Sequence, residues 1–328
     1  MSARPKSQPG RLAIPLLCLL VMFASAANAQ APSWPTRPLK VIIGYPPGSS
    51  PDVTGRLVVE PLARALGQSV VVENRPGAGG AIGTDAIAKA TDGHTLGVAG
   101  NGPLTTAKLL NPKLAYEAKD LAPLALIGTS PLVWVTGAGA AATPAQIIAS
   151  ARAAGDKLAY GSIGAGSGGH LGMELIKEQL GLAALHVPYP GGPQILTAII
   201  GGTIHMTLLP PSTVMPQVNA GKLVAIAVSS ARRSPLAPTL PSMEEVGAKG
   251  VDIEVWNAFV APASMPAAHQ ARLAQELGRI VSSREVRQSL LLQGWKDGEP
   301  GAAVLARRIQ SDTKVYADLI AKKGIRIE

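Results

Sequence analysis

The sequence is short of cysteine, aromatic residues and charge. Its 328 residues include one cysteine, so a disulfide scaffold is excluded and a structural zinc site nearly so. Eleven aromatics (4 Trp, 5 Tyr, 2 Phe) are too few for the stacking surfaces that hold single-stranded nucleic acid. Charged residues make up 16% of the chain with a formal net charge of +9, and no run of consecutive Lys or Arg concentrates it. A nucleic-acid partner is therefore not expected. No apolar run reaches the ~20 residues a membrane span needs. In their place stand 36 glycines and 28 prolines, separated by apolar stretches that make up much of the 47% hydrophobic content. That spacing is loop punctuation in a folded chain whose length suits two domains of ~100–200 residues.

The N-terminus reads as a secretory leader, residues 1–29. Arg4, Lys6 and Arg11 form a basic region, Leu12–Ala24 an apolar run, and Ala27 and Ala29 the small residues a signal peptidase reads, with cleavage expected before Gln30. Cys18 lies inside the apolar run after Leu17, so it belongs to the leader and not to a lipid anchor. Removing three cations from +9 leaves a mature chain of 299 residues at +6, with no cysteine, expected in the periplasm.

From Leu39 the chain alternates short β-prone runs with helical ones, the pattern of an α/β protein with a mostly parallel sheet. Strands are expected at Leu39–Ile43, Val70–Glu73 and from Thr95, with helices from Asp52 to Leu66 and through Ala90. Val53, Leu57, Leu62 and Leu66 form the apolar stripe of the first helix, and Pro61 should bend it or cost it one bond. The same grammar restarts at Lys157: strand Leu158–Tyr160, a Gly-rich loop 161–169, helix His170–Leu180, strand Leu185–Val187, helix Gln194–Ile200 and strand Thr203–Leu209. Two similar α/β domains follow from this repetition. The β-prone stretches Leu124–Thr136 and Ile253–Val260 are natural crossovers between them, and from Pro266 onward the chain reads as helical.

In such sheets ligands bind where loops leave the C-terminal ends of strands and meet helix N-termini, whose unpaired N–H groups and partial positive charge suit carboxylate or phosphate. Each half supplies two Gly-rich loops, so a cleft between facing loops is the expected site. Gly164-Ala165-Gly166-Ser167-Gly168-Gly169 fits the dinucleotide fingerprint, but the following strand ends His186-Val187-Pro188-Tyr189 without the acid that would hold a ribose. No cofactor is expected. Neither Ser162 nor Ser167 sits in G-x-S-x-G, and the histidines at 94, 170, 186, 205 and 269 show no metal-ligand spacing, so no catalytic residue or metal ligand is nominated. His170 suits a ligand contact or the helix start equally. His186 reads as a core residue, and Asp52 as a helix-start residue.

Tyr45-Pro46-Pro47-Gly48, the run Val70–Gly80 (VVVENRPGAGG), Asp92–Leu96, Gly164–His170 and His186–Tyr189 resemble the tripartite tricarboxylate transporter substrate-binding family, the Bug-type periplasmic receptors. The match continues through Leu240–Glu245 and Ala261-Pro262. The resemblance implies a type II periplasmic-binding-protein fold: two doubly wound lobes joined by two crossover strands, closing over a small carboxylate in the cleft. Lobe 1 is expected to hold residues 30–130 and 256–328, and lobe 2 residues 131–255. The implied partners are the permease subunits of a tripartite transporter, or a sensor kinase. The expected ligand contacts are Tyr45, Gly48, Ser49, Ser50, Asn101, Ser130, Ser162, Gly166, Ser167, Gly168, His170 and Tyr189, with backbone N–H groups of 48–50 and 166–168 as carboxylate donors. Ser49 stands where the family commonly has glycine, and Pro190, His205 and Leu209 depart from its usual pattern toward fewer charges near the second lobe's loops, which suits a less polar or singly charged ligand. An exported hydrolase of a small ester or amide on the same architecture is the alternative.

Overall fold

Two β-sheets carry the structure. The computed structural model describes residues 34–139 and 143–325; the expected leader lies outside the described residues. Arg37 onward is one compact unit, and Trp34–Thr36 ahead of it carry no regular structure. The elements are β1 (Leu39–Ile43), α1 (Ser50–Leu66), β2 (Val70–Asn74), α2 (Ala81–Ala88), β3 (Thr95–Gly100), α3 (Asn101–Thr105), α4 (Ala107–Leu110), β4 (Leu121–Pro131) and β5 (Val133–Gly137). Then follow α5 (Pro144–Ala154), β6 (Ala159–Ser162), α6 (Gly168–Leu180), β7 (Leu185–Pro188), α7 (Gly192–Ile200), β8 (Met206–Leu209), α8 (Pro211–Asn219) and β9 (Leu223–Val228). The chain closes with β10 (Glu254–Pro262), α9 (Ala267–Val281), α10 (Arg284–Leu292), β11 (Lys296–Asp297) and α11 (Ala302–Lys323).

The first sheet has the order β11-β4-β10-β3-β1-β2 and the second β7-β6-β8-β5-β9. β1 runs parallel to β2 and β3, as β6 does to β7 and β8, so each repeat builds one parallel unit. The antiparallel strands β10 and β5 come from the two crossover stretches. The first of these is not one strand: β4 ends at Pro131, and Leu132 separates it from β5 in the other sheet. The expectation of an all-helical C-terminus is corrected at one point, because β11 adds a two-residue edge to β4.

Alternation along β5 shows how the second sheet is covered. Val133 and Val135 face a cluster with Ile195, Ile199 and Val214, while Trp134 faces another with Leu171, Ile176 and Ile226. Under the first sheet, Ile42, Leu126, Trp256 and Leu305 share a core. The terminal helix serves both sheets: Leu305 packs under the first, whereas Tyr316 joins the cluster of the second.

Local sequence explains the helix limits. α1 keeps its helical form through Pro61, whose missing N–H leaves the Leu57 carbonyl without its helical donor. Its apolar stripe is set one residue from expectation, with Val58 buried beside Leu62 and Leu66 in place of Val53 and Leu57. Gly67 and Gly181 end α1 and α6 at φ 67° and 62°, the left-handed cap that glycine adopts without steric cost. Gly100 ends β3, and the chain runs straight into the short helix α3 at Asn101.

Candidate functional site

Five helices (α1, α3, α6, α7 and α8) begin around one cavity between the sheets. Its walls are drawn from Tyr45, Ser49 and Ser50 after β1, Asn101 and Gly102 after β3, Ser167–Gly169 after β6, Gly192 after β7 and Thr213 on α8. Leu132, Leu208, Leu209 and Val255 supply an apolar side, and Asn257 of β10 closes the rest. No Lys, Arg, His, Asp or Glu lines it. The space left between these walls is small.

Loops from the two sheets touch across this space. The Thr106 hydroxyl donates to the Gly166 carbonyl at 2.8 Å. Gly164, at φ +127°, lies so close to Gly79 that an added Cβ would fall 2.7 Å from its Cα. Only glycine permits that approach. The cleft is closed.

What the cavity can bind depends on which donors are already used. Helix geometry leaves the first-turn amides without intrahelical acceptors, and those of Ser50 on α1 and of Gly168 and Gly169 on α6 have no acceptor among the described residues. Others are engaged. The Gly48 amide donates to Asp52 Oδ2 (3.0 Å), that of Ser49 to the Pro46 carbonyl (3.2 Å), that of Gly166 to His170 Nδ1 (3.0 Å) and that of Ser167 to the Gly164 carbonyl (3.2 Å). Three hydroxyls likewise donate to the protein itself: Tyr45 to the Gly79 carbonyl at 2.8 Å, Ser49 to the Pro46 carbonyl at 2.6 Å and Ser167 to the Gly164 carbonyl at 2.7 Å. Facing a ligand, those oxygens can only accept. Burial pushes the Tyr45 hydroxyl far above its usual range, so it stays protonated.

Of the twelve residues expected from sequence, Tyr45, Ser49, Ser50, Asn101, Ser167 and Gly168 come together on the cavity wall. The structure does not bring the others there. Gly48 lines a separate groove beside Pro211 and Thr213. Ser130 donates to the Gly294 carbonyl at 2.7 Å, tying β4 to the turn before β11. Ser162 is fully buried, with its hydroxyl between the Gly164 amide (3.1 Å) and His186 Nε2 (2.7 Å). The Gly166 carbonyl accepts from Thr106, and His170, 4% exposed, does not line the cavity, its Nδ1 accepting from the Gly166 amide instead. The Tyr189 amide closes onto the Ser162 carbonyl at 2.8 Å, and its ring packs with the Ile195 cluster. The physical reason is that each of these six already spends its polar groups on neighbouring loops or packs into a wall behind the cavity, and spacing alone does not tell which way a group faces.

Sequence reasoning did not nominate Gly102, Gly169, Gly192, Thr213, Val255 or Asn257. One signal was present. Asn257 is a lone amide inside the apolar strand Glu254–Pro262, where a buried polar group must find partners, and it donates to Thr54 Oγ1 at 3.0 Å. His205, one of the departures from the family pattern, lies away from the cavity and accepts from the Ala159 amide at 3.0 Å, whereas Leu209 does line it. Asp52 acts at the helix start, as expected, accepting from Gly48 and held by Arg56 Nε at 2.9 Å. Among the described residues no group of three or more His, Cys, Asp or Glu is placed to hold a metal ion, and no helix is long and apolar enough to cross a membrane.

A two-sheet α/β protein with helix N-termini turned into a closed central cleft defines the class of periplasmic solute-binding receptors. Residues 54–325 match the model of the tripartite tricarboxylate transporter family receptor, and the chain belongs to that family. It is 33% identical to the protein BugT of Bordetella pertussis over 287 residues, covering 85% of this chain and 88% of that one. A further relative from Pseudomonas sp. strain P51 is 30% identical over 308 residues, 92% of this chain and 91% of its own. Among solved structures, an R. palustris protein with adipate superposes with a TM-score of 0.85 at 27% identity, covering 89% of this chain and 99% of that one. MatC from Rhodopseudomonas palustris with bound malate gives 0.81 at 27% identity over 88% and 100% of the two chains. The periplasmic binding protein BugD gives 0.85 at 26% over 90% and 100%.

Proposed function

We propose that this receptor works in the periplasm, captures a compact carboxylate without making or breaking a bond, and hands it to the membrane permease of a tripartite transporter. The observation that carries the reading is the set of unengaged amides at Ser50, Gly168 and Gly169, on helix N-termini from opposite sheets around one cavity without a charged wall. Each such terminus bears roughly half a positive charge, so an anion is stabilised there without a cationic side chain. The adipate and malate held by two structural relatives support the carboxylate class.

The apolar wall of Leu132, Leu208, Leu209 and Val255 favours a ligand whose remaining atoms are short and weakly polar. Among the described residues, 37–130 and 256–325 are assigned to lobe 1, and 131–139 with 143–255 to lobe 2; sheet membership supports this division to within two residues at the crossovers, with the terminal half of α11 also packing on lobe 2. The lobes close by hinge motion at the crossovers, and contacts made only when closed supply the differential affinity that shifts the population.

A thermal-shift screen of the purified protein against short mono- and dicarboxylates, with their amides and methyl esters, tests this. A carboxylate at 100 times its dissociation constant should stabilise the protein by about 2.7 kcal/mol, while its amide and ester do not. Stabilisation by the neutral analogues alone, or turnover of the esters, would overturn the reading.

A further inference from the structure

Behind the turn that carries Ser167–Gly169 lies a buried cluster that ligand binding does not use. The His170 and His186 rings are 4.1 Å apart, and both stack on Tyr160, at 6.4 and 5.0 Å. The Gly166 amide donates to His170 Nδ1 at 3.0 Å, so that nitrogen carries no proton. His186 Nε2 meets Ser162 Oγ at 2.7 Å, and the same oxygen accepts from the Gly164 amide at 3.1 Å. Both ends of the turn 164–166 therefore hang from imidazoles, one directly and one through a serine. The turn in turn touches the other lobe, through Gly164 against Gly79 and Thr106 on Gly166.

We propose that His170 is a positioning residue whose neutral imidazole holds the anion-binding turn in shape, and that acid releases this turn. A proton on Nδ1 would turn an acceptor into a donor aimed at the Gly166 N–H, so the bond would be lost and the two hydrogens would repel. Release would move Gly164–Gly169, and with them two free amides and two contacts between the lobes.

The charged and titratable groups facing the ring agree in part. Glu174, on the same helix, favours the imidazolium, but it already accepts from the Tyr160 hydroxyl at 2.6 Å and from Lys177 Nζ at 2.8 Å. Lys177, 5.4 Å above the Tyr160 ring, and His186 on β7 disfavour a second positive charge nearby. Burial holds the His170 imidazole below its ordinary pKa, and it pushes that of His186, with help from His170, down to about 4.

Nitrogen-15 spectra of the labelled protein, recorded from pH 7.5 to 4.5 without ligand, test the proposal. His170 Nδ1 should resonate as an unprotonated nitrogen at pH 7.5, and the amides of Gly166, Gly168 and Gly169 should shift with the His170 ring as pH falls. His170→Asn, whose carbonyl can accept from Gly166 but does not titrate, should fold and lose that pH response in the turn. Should that variant fail to fold, His186→Gln provides the second arm. It removes the other imidazole, and the joint titration of the His170 ring and the turn should persist without it. A protonated Nδ1 at pH 7.5, a turn that stays fixed to pH 4.5, or one that moves independently of His170 would each overturn the proposal. Only the consequence for capture rests on the receptor reading. The ring and turn titrations do not, so the two can fail separately.

Discussion

Leu132 and Ser229 fasten the two crossovers to each other. The Leu132 amide donates to Ser229 Oγ at 2.7 Å, and the Ser229 amide donates back to the Leu132 carbonyl at 2.7 Å. Ser229 also holds the return strand, donating through its hydroxyl to the Ile253 carbonyl at 2.6 Å and accepting the Ile253 amide on its own carbonyl at 2.9 Å. One fully buried serine thus links the chain where it leaves the first sheet, where it leaves the second and where it re-enters the first.

Replacing Ser229 by alanine leaves the Leu132 amide without its acceptor and the Ile253 carbonyl without one donor. An unsatisfied buried group costs ~1–3 kcal/mol. A fall of that size in the urea-unfolding free energy is expected, with the m-value unchanged. An unaltered midpoint would show that this link does not bear on stability.

Ser167 is a helix cap and a wall of the cavity at once. Its hydroxyl accepts from the His170 amide at 3.3 Å and donates to the Gly164 carbonyl at 2.7 Å, closing the turn on itself. Ser167→Ala should lose ~1 kcal/mol of stability, the usual worth of an N-cap. It should also lower affinity for a carboxylate ligand at least tenfold, because the Gly168 and Gly169 amides are then no longer held together. Calorimetric titration beside thermal unfolding separates the two effects. Equal affinity in the variant would place the anion elsewhere.

Repetition of strand, Gly-rich loop and helix is legible in the sequence, because period and punctuation are local properties. The same holds for Tyr45, Ser50, Asn101 and Ser167, which stand where loops meet helix starts. The break at Leu132 was not legible: Leu124–Thr136 is uniformly apolar, and only the pairing of its two halves with different sheets divides it. Nor could spacing tell a free amide from an engaged one. Gly48 and Gly166 each precede the N-cap serine of a helix, and each amide is taken by the side chain four residues on, Asp52 Oδ2 and His170 Nδ1, whereas Gly168, just past its cap, keeps its amide free. His170 and His186 are 16 positions apart in the chain, and only the parallel pairing of β6 with β7 brings their rings together.

Acid should weaken the fold through His186. Its folded-state pKa is depressed from 6.5 to about 4, chiefly by burial and then by the neighbouring His170. For a base whose folded pKa is lowered, the unfolded chain takes up the proton first. Its contribution to stability is therefore complete above about pH 6.5, declines as pH falls toward 4, and levels off below. Urea midpoints at pH 7.5, 6, 5 and 4 should fall through that interval, with a shallower fall in His186→Gln. A midpoint that rises on acidification would contradict the direction.

The C-terminal helix is anchored by a buried indole. Trp256, fully buried under the first sheet, donates from Nε1 to Asp312 Oδ2 at 2.7 Å, and the Arg308 Nε meets the same oxygen at 2.8 Å. Asp312→Ala removes the acceptor, leaves a buried N–H unpaired and frees the Arg308 guanidinium from its partner. The expected loss is ~1–3 kcal/mol, larger than that of Arg308→Ala, because a half-exposed cation is worth less than a desolvated indole donor. Because Tyr316, one turn further on, packs against the second sheet and its hydroxyl accepts from Asn101 Nδ2 at 3.5 Å, loosening this anchor should also reach the cavity. Chemical denaturation of the two variants orders the stabilities, and hydrogen exchange along α11 checks the site. Arg308→Ala proving the more damaging would shift the anchor from the indole to the ion pair.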